Sequence, residues 1–379
     1  MTSRLPKLFA GVALALFAGA GSAQVQRDPL APLAPGTVAP RAAQPLVPVP
    51  RTTPQAEAIV TRSPPMMPGR APLALRERIT ALGRNFDGIA GVSVVSLRDN
   101  WQIDQNANRL FPQQSCSKLW VAITAMDMVD QGRVRLEDRV TLGRDDLTLF
   151  HQPIRARVLG GGATTSLGNL LSTAITQSDN TANDKLMRSI GGPAAVRAMI
   201  ERKGLGSIRF YEGERALQSR IAGLIWSQSY ALGDGFYKAR GALPLALRKA
   251  SFERYISDPY DGAAPHAVAL ALARLKRGEL LSRASTARLL TTMGATRTGG
   301  MRVRAALRPG WKWLHKTGSG QVLQGRIGGI NDIGILTAPD GTAYAMAIMT
   351  VPNKSNGSAQ NFMQAVTRAV IAAHVPRGG

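Results

Sequence analysis

The chain has 379 residues, of which 44% are hydrophobic, 5% aromatic and 19% charged. This composition is too apolar for a wholly disordered protein, and the length exceeds that of a mini-domain, so we expect one large or two modest domains. The 47 Lys and Arg residues outnumber the 24 Asp and Glu residues and give a net charge of +23. They are scattered, and no nucleic-acid motif accompanies them, so we expect a solvated basic surface and no nucleic-acid partner.

The cysteine and histidine residues of the sequence do not indicate a metal or cofactor site. A single cysteine excludes an intrachain disulfide framework and a multi-cysteine zinc site. The four histidines lie too far apart for a local metal motif: His151, His266, His315 and His374. We expect neither a metal nor another cofactor.

The first 23 residues have the pattern of a signal peptide. Arg4 and Lys7 precede the apolar stretch LFAGVALALFAGAG, and Gly21 and Ala23 supply small residues at the cleavage position. We predict cleavage after Ala23, the alternative being a retained N-terminal anchor. No cysteine at the junction offers a lipid attachment point, and no later segment is apolar enough to cross a membrane. The sequence therefore predicts an exported protein, periplasmic or secreted, with no transmembrane segment in the mature chain.

Residues 24–71 are dominated by Pro and Ala, as in PLAPLAPGTVAP. Such a stretch cannot bury a core and predicts an extended, disordered linker. Residues 72–379 are then expected to form the folded body.

Helical and strand patterns alternate along this body. In chain order we predict a helix in LALRERITALGRN, a strand in GIAGVSVVSL and an apolar helix in SKLWVAITAMDMVDQG that ends at Gly132. Near the end, NDIGILTA and AYAMAIMTV flank a tight turn at Pro339-Asp340-Gly341, and NFMQAVTRAVIAAH predicts a terminal helix. Strands thus occur near both ends with helical sequence between them, which indicates an α/β fold with a helical subdomain inserted into a sheet.

Ser115 and Lys118 stand at the start of the apolar helix. Three residues apart, they share one face of a helical turn. The helix N-terminus favours developing negative charge, and apolar neighbours favour the neutral form of Lys118. That combination can activate a serine without a histidine. Alone, the Ser-x-x-Lys pattern is also that of an ordinary helix start.

Two further segments place polar residues at the ends of elements. Ser178-Asp179-Asn180 lies between the helical runs SLGNLLSTAITQ and TANDKLMRSI, which suits a corner whose short side chains point into a cleft. Lys316 begins KTGSG after the strand-like run WKWL. Glycines there let a substrate approach the backbone, and Lys316 supplies a positive charge.

In this order and at these separations, the segments FPQQSCSK, ITQSDNTANDKLMRSIGGPAAV and GWKWLHKTGSG resemble the three active-site segments of the class A serine β-lactamases and their penicillin-binding relatives. The resemblance covers nearly all of residues 72–374. It implies an α/β fold in which a five-stranded antiparallel sheet flanked by helices lies beside an all-helical subdomain, here at about residues 133–275.

A fourth segment separates the β-lactamases from the penicillin-binding proteins, because class A enzymes add a Glu-x-x-Leu-Asn segment that activates a deacylating water. This chain has ERALQ at that place, with Glu214 34 residues after Asn180, which matches the family spacing. Gln218 replaces the usual Asn, and its amide can still donate to and accept from a water. The alternative is a solvated glutamate on a helix face.

The same region departs from the family pattern in two ways. The family usually has an Arg two residues before the glutamate, paired with an Asp near the end of the loop, whereas this chain has Glu212 there and Asp261 at the loop end. Arg215 or Arg220 would have to substitute. Residues 219–260 also contain an insertion of roughly thirty residues. It is either a lid that narrows substrate access or an added helical layer.

Outside these motifs, one aromatic residue, one arginine, one cysteine and one Arg-rich run stand out. Phe150 is either an aromatic gatekeeper at the cleft mouth or a core residue. Arg326 is either a ligand for a substrate carboxylate or a surface charge. Cys116 is expected to be a buried small residue. The Arg-rich run 297–308 is expected to coat a solvated helix face.

The resemblance implies a catalytic role for each motif. Ser115 attacks the β-lactam carbonyl, and Lys118 or a Glu214-bound water takes its proton. Ser178 passes a proton to the leaving nitrogen in the field of Lys316, and Glu214 then activates the deacylating water. The substrate-binding residues implied are Asn180, Thr317, Gly318, Ser319, Phe150 and Gln218, with the backbone N–H groups of Ser115 and Ser319 as the oxyanion hole.

We therefore expect a monomeric serine β-lactamase that acts on a small-molecule β-lactam. One alternative is a D,D-peptidase that acts on peptidoglycan-like substrates with the same serine, in which Glu214 is idle. The other is a non-catalytic envelope-binding protein with a basic surface.

Overall fold

The computed structural model describes residues 69–376. The signal peptide predicted at residues 1–23 and nearly all of the linker predicted at 24–71 lie outside this range. The helices are α1 Leu73–Arg84, α2 Lys118–Asp130, α3 Arg155–Leu159, α4 Leu167–Thr176, α5 Asn180–Ser189, α6 Gly192–Arg202, α7 Glu214–Ile221, α8 Gly235–Ala242, α9 Leu245–Ser257, α10 Pro265–Arg277, α11 Arg283–Gly294 and α12 Ser358–Ala372. The strands are β1 Gly88–Ser96, β2 Gln102–Gln105, β3 Phe111–Pro112, β4 Arg139–Leu142, β5 Ala163–Ser166, β6 Gly262–Ala263, β7 Lys312–Ser319, β8 Val322–Leu323, β9 Arg326–Ile327, β10 Ile330–Thr337 and β11 Ala343–Pro352.

Five strands form the main sheet in the order β2-β1-β11-β10-β7, and every neighbouring pair is antiparallel. The predicted turn joins β10 to β11, where Gly341 adopts a left-handed φ of 82°. Because the sheet combines β1 and β2 with strands from the other end of the chain, the predicted α/β arrangement is confirmed.

Alternating residues of β11 belong to two different cores, as the period of a strand requires. Met346 and Ile348 pack with α1 and α12 on one face of the sheet. Ala345 and Ala347 belong to the larger core on the other face, which includes α10. The sheet is therefore covered by helices on both faces.

Helix α2 lies at the centre of the helical part, in contact with α4, α5, α6 and α11. It is buried on every side, from Lys118 to Met128. A helix apolar all round is stable only in such an interior position. This burial fixes the start of α2, which carries the Ser-x-x-Lys motif.

The predicted insertion at residues 219–260 contains α8 and α9. Phe252 and Tyr255 of α9 belong to the main core, so α9 packs as a helical layer against it. Phe236 of α8 is buried in a small separate cluster with Leu149 and Ala222.

Candidate active site

Ser115 lies in a single 3-10 turn, Gln114–Ser117, that leads directly into α2. The turn requires a left-handed φ of 54° at Gln114. Strand β7 passes so close beneath it that a Cβ on Gly318 would lie 2.3 Å from the carbonyl oxygen of Gln113. Glycine at position 318 therefore lets the KTGSG strand approach the turn that carries Ser115.

Lys118 is the first residue of α2, and its side chain is completely buried. Its Nζ donates to Ser115 Oγ at 2.5 Å, to Asn180 Oδ1 at 2.7 Å and to Glu214 Oε1 at 2.5 Å. One ammonium group thus joins three of the predicted segments. A buried ammonium needs this kind of compensation, because an isolated charge is costly away from water.

Ser178 occupies the corner between α4 and α5 with a left-handed φ of 61°. Its Oγ accepts a hydrogen bond of 2.9 Å from Lys316 Nζ, which also donates to Thr317 O at 2.9 Å. Burial, with a smaller contribution from the nearby charge of Lys118, lowers the pKa of Lys316 to about 7. The second lysine therefore holds its proton weakly at neutral pH.

Glu214 is the first residue of α7 and only 2% exposed, so its interpretation as a solvated surface glutamate is wrong. Its backbone N–H donates to Asp184 Oδ1 at 2.8 Å, which fixes the start of the helix. One turn later, Gln218 Nε2 donates to Glu214 Oε2 at 3.3 Å. Burial, together with the charge of Glu214, raises the pKa of Asp184.

These side chains meet at a cavity of about 330 Å³. The cavity is lined by Ser115, Phe150, His151, Ser178, Asn180, Gln218, Thr298, Arg302, Thr317, Ser319, Gly320 and Gln321. Lys118, Glu214 and Lys316 lie behind this surface and reach it through the hydroxyl and amide groups that they contact. Gly318 lies beneath it as part of β7.

Phe150 is 40% exposed at the edge of the cavity, so its interpretation as a core residue is wrong. Its ring lies edge-on to Phe236 of the insertion, with centroids 5.0 Å apart. Cys116 is buried as expected, and burial raises the pKa of its thiol to about 12.

The cavity contains an arginine that sequence reasoning missed. Arg302 is 9% exposed, and its guanidinium donates to Ser319 Oγ at 2.6 Å and to Gly318 O at 2.9 Å. The expectation of a solvated helix face at 297–308 is therefore wrong at this residue. Arg326 instead pairs with Glu253 at 2.5 Å and does not line the cavity.

The loop that carries Glu214 is closed without an arginine. Glu212 pairs with Arg197 at 3.1 Å. Asp261 accepts hydrogen bonds from Tyr255 Oη at 2.9 Å and from the backbone N–H of Gln114 at 2.8 Å. Burial raises the pKa of Asp261 to about 7.

Neither candidate substitute pairs with Asp261 among residues 69–376. Arg215 lies 3.8 Å from Asp184 and stacks over the ring of Trp226. Arg220 lies over the ring of Tyr260, 4.9 Å from its centroid. The usual salt bridge of the loop is therefore replaced by neutral hydrogen-bond donors.

No group of three or more His, Cys, Asp or Glu side chains between residues 69 and 376 is arranged to hold a metal ion. No helix in that range is long and apolar enough to span a bilayer.

Comparisons with known proteins agree with this geometry. Residues 74–374 match the family described as "Beta-lactamase enzyme family". Beta-lactamase CTX-M-97 of Escherichia coli is 27% identical over 299 residues, which cover 78% of this chain and 88% of that protein. Beta-lactamase Toho-1 of Escherichia coli is 28% identical over 263 residues, which cover 69% and 76%.

Solved structures share the fold. A β-lactamase from Chitinophaga pinensis superimposes with a TM-score of 0.66 at 28% identity, covering 79% of this chain and all of that one. An ancestral class A β-lactamase gives a TM-score of 0.64 at 28% identity, with the same coverage. With the family match over most of the described residues, the conclusion is that this chain belongs to the β-lactamase enzyme family, as a class A serine β-lactamase.

Proposed function

We propose that this enzyme opens the β-lactam ring through an acyl-enzyme on Ser115, and that a water activated by Glu214 then releases the product. The observation that carries the proposal is the position of Lys118 Nζ, 2.5 Å from both Ser115 Oγ and Glu214 Oε1. The two oxygens cannot be farther apart than twice that distance, which one water molecule can bridge. Nucleophile and deacylating base thus serve the same substrate carbon.

In the acylation step, Ser115 Oγ attacks the lactam carbonyl and loses its proton. Two bases are within reach. Lys118 contacts Oγ directly and can accept its proton once it has passed one of its own to Glu214 Oε1, whereas Glu214 can act through a water. The backbone N–H groups of Ser115 and Ser319 would stabilise the oxyanion. The geometry is compatible with either base.

Collapse of the tetrahedral intermediate breaks the C–N bond, and the leaving nitrogen needs a proton. Ser178 lines the cavity and is hydrogen-bonded to Lys316, so we assign it this proton transfer. The positive charge of Lys316 lowers the cost of the transient alkoxide on Ser178. Lys316 then restores the serine proton and is itself reprotonated from solvent, while the acylation base releases the Ser115 proton to solvent before deacylation.

We expect the substrate carboxylate to bind at the positively charged end of the cavity. Thr317 and Ser319 present hydroxyl groups there, while Lys316 and Arg302 supply charge. Arg302, and not Arg326, is then the arginine that binds the substrate carboxylate. Asn180, fixed by Lys118, would hold the amide of the substrate side chain.

The buried position of Glu214 also weighs against the D,D-peptidase alternative. Burying a glutamate beside the nucleophile's lysine costs desolvation energy, which a role in deacylation would explain and an idle residue would not. A pure envelope-binding protein would need no such pair.

The proposal is tested with purified protein and a chromogenic cephalosporin. We expect catalytic turnover by the wild type and at least about a thousandfold loss in Ser115→Ala, because no other group supplies the nucleophile. A wild-type protein that forms a stable adduct without turnover would support the D,D-peptidase instead. A protein that forms neither adduct nor product would contradict both.

We also propose export, on the basis of the N-terminal pattern of residues 1–23. Expression of the full chain in a Gram-negative host should yield a periplasmic protein whose first residue is Gln24, as read by mass spectrometry of the intact chain. Retention of residues 1–23 in the mature protein would contradict it.

A further inference from the structure

Tyr255 of the inserted helix α9 lies beneath the nucleophile. Its side chain is completely buried, and its hydroxyl makes two hydrogen bonds. It donates to Asp261 Oδ1 at 2.9 Å and accepts from Gln114 Nε2 at 2.8 Å. Because Asp261 Oδ2 also accepts from the Gln114 backbone N–H at 2.8 Å, the residue before Ser115 is held by both its backbone and its side chain.

The hydrogen bonds continue from Gln114 to the catalytic carboxylate. Gln114 Oε1 accepts from Gln218 Nε2 at 3.3 Å, and the same nitrogen lies 3.3 Å from Glu214 Oε2. We call the sequence Asp261, Tyr255, Gln114, Gln218 and Glu214 the buried polar chain. Each of its members is at most 5% exposed.

The direction of these hydrogen bonds is set at the Tyr255 end. Burial, with the nearby charge of Asp261, raises the pKa of the Tyr255 hydroxyl well above 10, so it keeps its proton and gives it to Asp261. Its lone pair is then left for the Gln114 amide nitrogen, which also donates to Gly328 O at 3.1 Å. With both Gln114 N–H groups engaged there, Gln114 Oε1 faces Gln218.

At the other end, the Gln218 amide is held on both sides. Its oxygen accepts from Gln321 Nε2 at 3.0 Å, which leaves its nitrogen to face Gln114 and Glu214. Buried polar networks of this kind fix a single arrangement when every member is satisfied. The orientation of the Gln218 amide beside Glu214 therefore depends on the Tyr255 hydroxyl, two hydrogen bonds away.

We propose that Tyr255 is a positioning residue for deacylation. The insertion supplies this tyrosine to the loop that carries Glu214, which is closed without an arginine. The inference rests on the proposed function of Glu214. The buried polar chain ends on Gln218 and Glu214, the groups assigned to the deacylating water. Lys118 also donates to Glu214 Oε1 at the end of this chain, but its bonds to Ser115 and Asn180 include no member of the chain. The bond between Lys316 and Ser178 includes none either.

The test is the Tyr255→Phe variant, which removes one hydroxyl and keeps the ring that packs in the core. Loss of a buried hydrogen bond at this point should slow decay of the acyl-enzyme by about tenfold. Formation of the acyl-enzyme should stay within twofold of the wild type. Intact-protein mass spectrometry of stopped reactions measures both rates, and kcat and KM should fall together while kcat/KM is unchanged.

Tyr260→Phe is the matched control. The Tyr260 ring lies 6.0 Å from that of Tyr255 and under the Arg220 guanidinium, so loss of its hydroxyl should change neither rate. Gln114→Met is a second variant, since it breaks the buried polar chain at its middle and leaves Tyr255 and Asp261 paired. It should also slow decay of the acyl-enzyme selectively, and it replaces Tyr255→Phe in the test if that variant does not fold.

Two results would overturn the inference while leaving the proposed function intact. One is a folded Tyr255→Phe variant in which adduct formation and decay slow equally. The other is a variant in which neither rate changes. Failure of the wild type to form any adduct would instead refute the proposed function.

Discussion

The two buried lysines of this site each contact a small number of polar groups directly. Lys118 shares its three protons among Ser115, Asn180 and Glu214, so all three depend on one ammonium group. Lys316 serves Ser178 in the same way. The two lysines differ in their surroundings: Lys118 faces a carboxylate at 2.5 Å, whereas Lys316 faces hydroxyl and carbonyl oxygens.

The first prediction concerns Glu214→Gln. The variant keeps the size of the side chain and removes the base, so a covalent β-lactam adduct should accumulate while turnover falls by about a thousandfold. Mass spectrometry of the intact protein detects the adduct. Unchanged steady-state turnover would remove Glu214 from the mechanism.

The second prediction concerns Lys316 and pH. Its pKa is lowered to about 7, so the ammonium to which we assign binding of the substrate carboxylate is lost as the pH rises above 7. We expect kcat/KM, which reports the free enzyme, to fall towards tenfold per pH unit on that limb. In Lys316→Arg the charge does not titrate in this range, and the remaining activity should be flat to pH 9. A flat wild-type profile between pH 6 and 9 would contradict this.

At the scale of elements, local patterns identified most of the fold but not the contacts between distant segments. The apolar helix α2 and the hairpin of β10 and β11 have strong periodicity and turn residues, so their positions follow from the sequence. Ser115, Ser178 and Lys316 stand in motifs. Arg302 and Tyr255 stand in none, because they reach the site only through tertiary packing across other elements.

The insertion also shapes the edge of the cavity. Phe236 of α8 is 2% exposed and contacts Phe150, which lines the cavity. Phe150 has a left-handed φ of 60°, a conformation that is costly for an aromatic residue unless packing holds it. The element thus stabilises a strained residue at the mouth of the site.

The third prediction follows from this packing. Phe236→Ala should lower the free energy of unfolding by about 3 kcal/mol, as expected for loss of a buried ring. It should also raise KM several-fold for substrates with a bulky side chain, since Phe150 loses its support. Urea unfolding and steady-state kinetics measure the two effects. Tyr237→Ala, at a neighbouring residue 62% exposed, should leave stability nearly unchanged; an equal loss in both variants would exclude this role of Phe236.

At the scale of the whole molecule, the site buries ionisable groups whose shifted pKa values lower the stability of the fold at neutral pH. Asp261 has its pKa raised from 3.8 to about 7, so the folded state binds a proton that the unfolded chain releases between these values. Its contribution to stability is therefore present below pH 4 and is lost as the pH rises to 7. For Lys316, lowered from 10.5 to about 7, the unfolded chain binds the extra proton, and stability is regained between pH 7 and 10.5.

The fourth prediction tests this balance. Asp261→Asn does not titrate, so its free energy of unfolding should decline less steeply than that of the wild type between pH 4 and 7. Urea unfolding at several pH values gives both slopes, and the difference between them isolates the carboxyl from the other groups. Parallel slopes in the two proteins would show that Asp261 does not titrate in this window.

The chain contains one cysteine, Cys116, which is fully enclosed and whose thiol has a pKa of about 12. A thiol with these properties reacts very slowly with maleimides. A new cysteine placed at the exposed Tyr237 can therefore be labelled with a fluorophore without first deleting the native one. Such a dye, attached beside Phe150, would report in real time whether α8 shifts as antibiotic enters and product leaves.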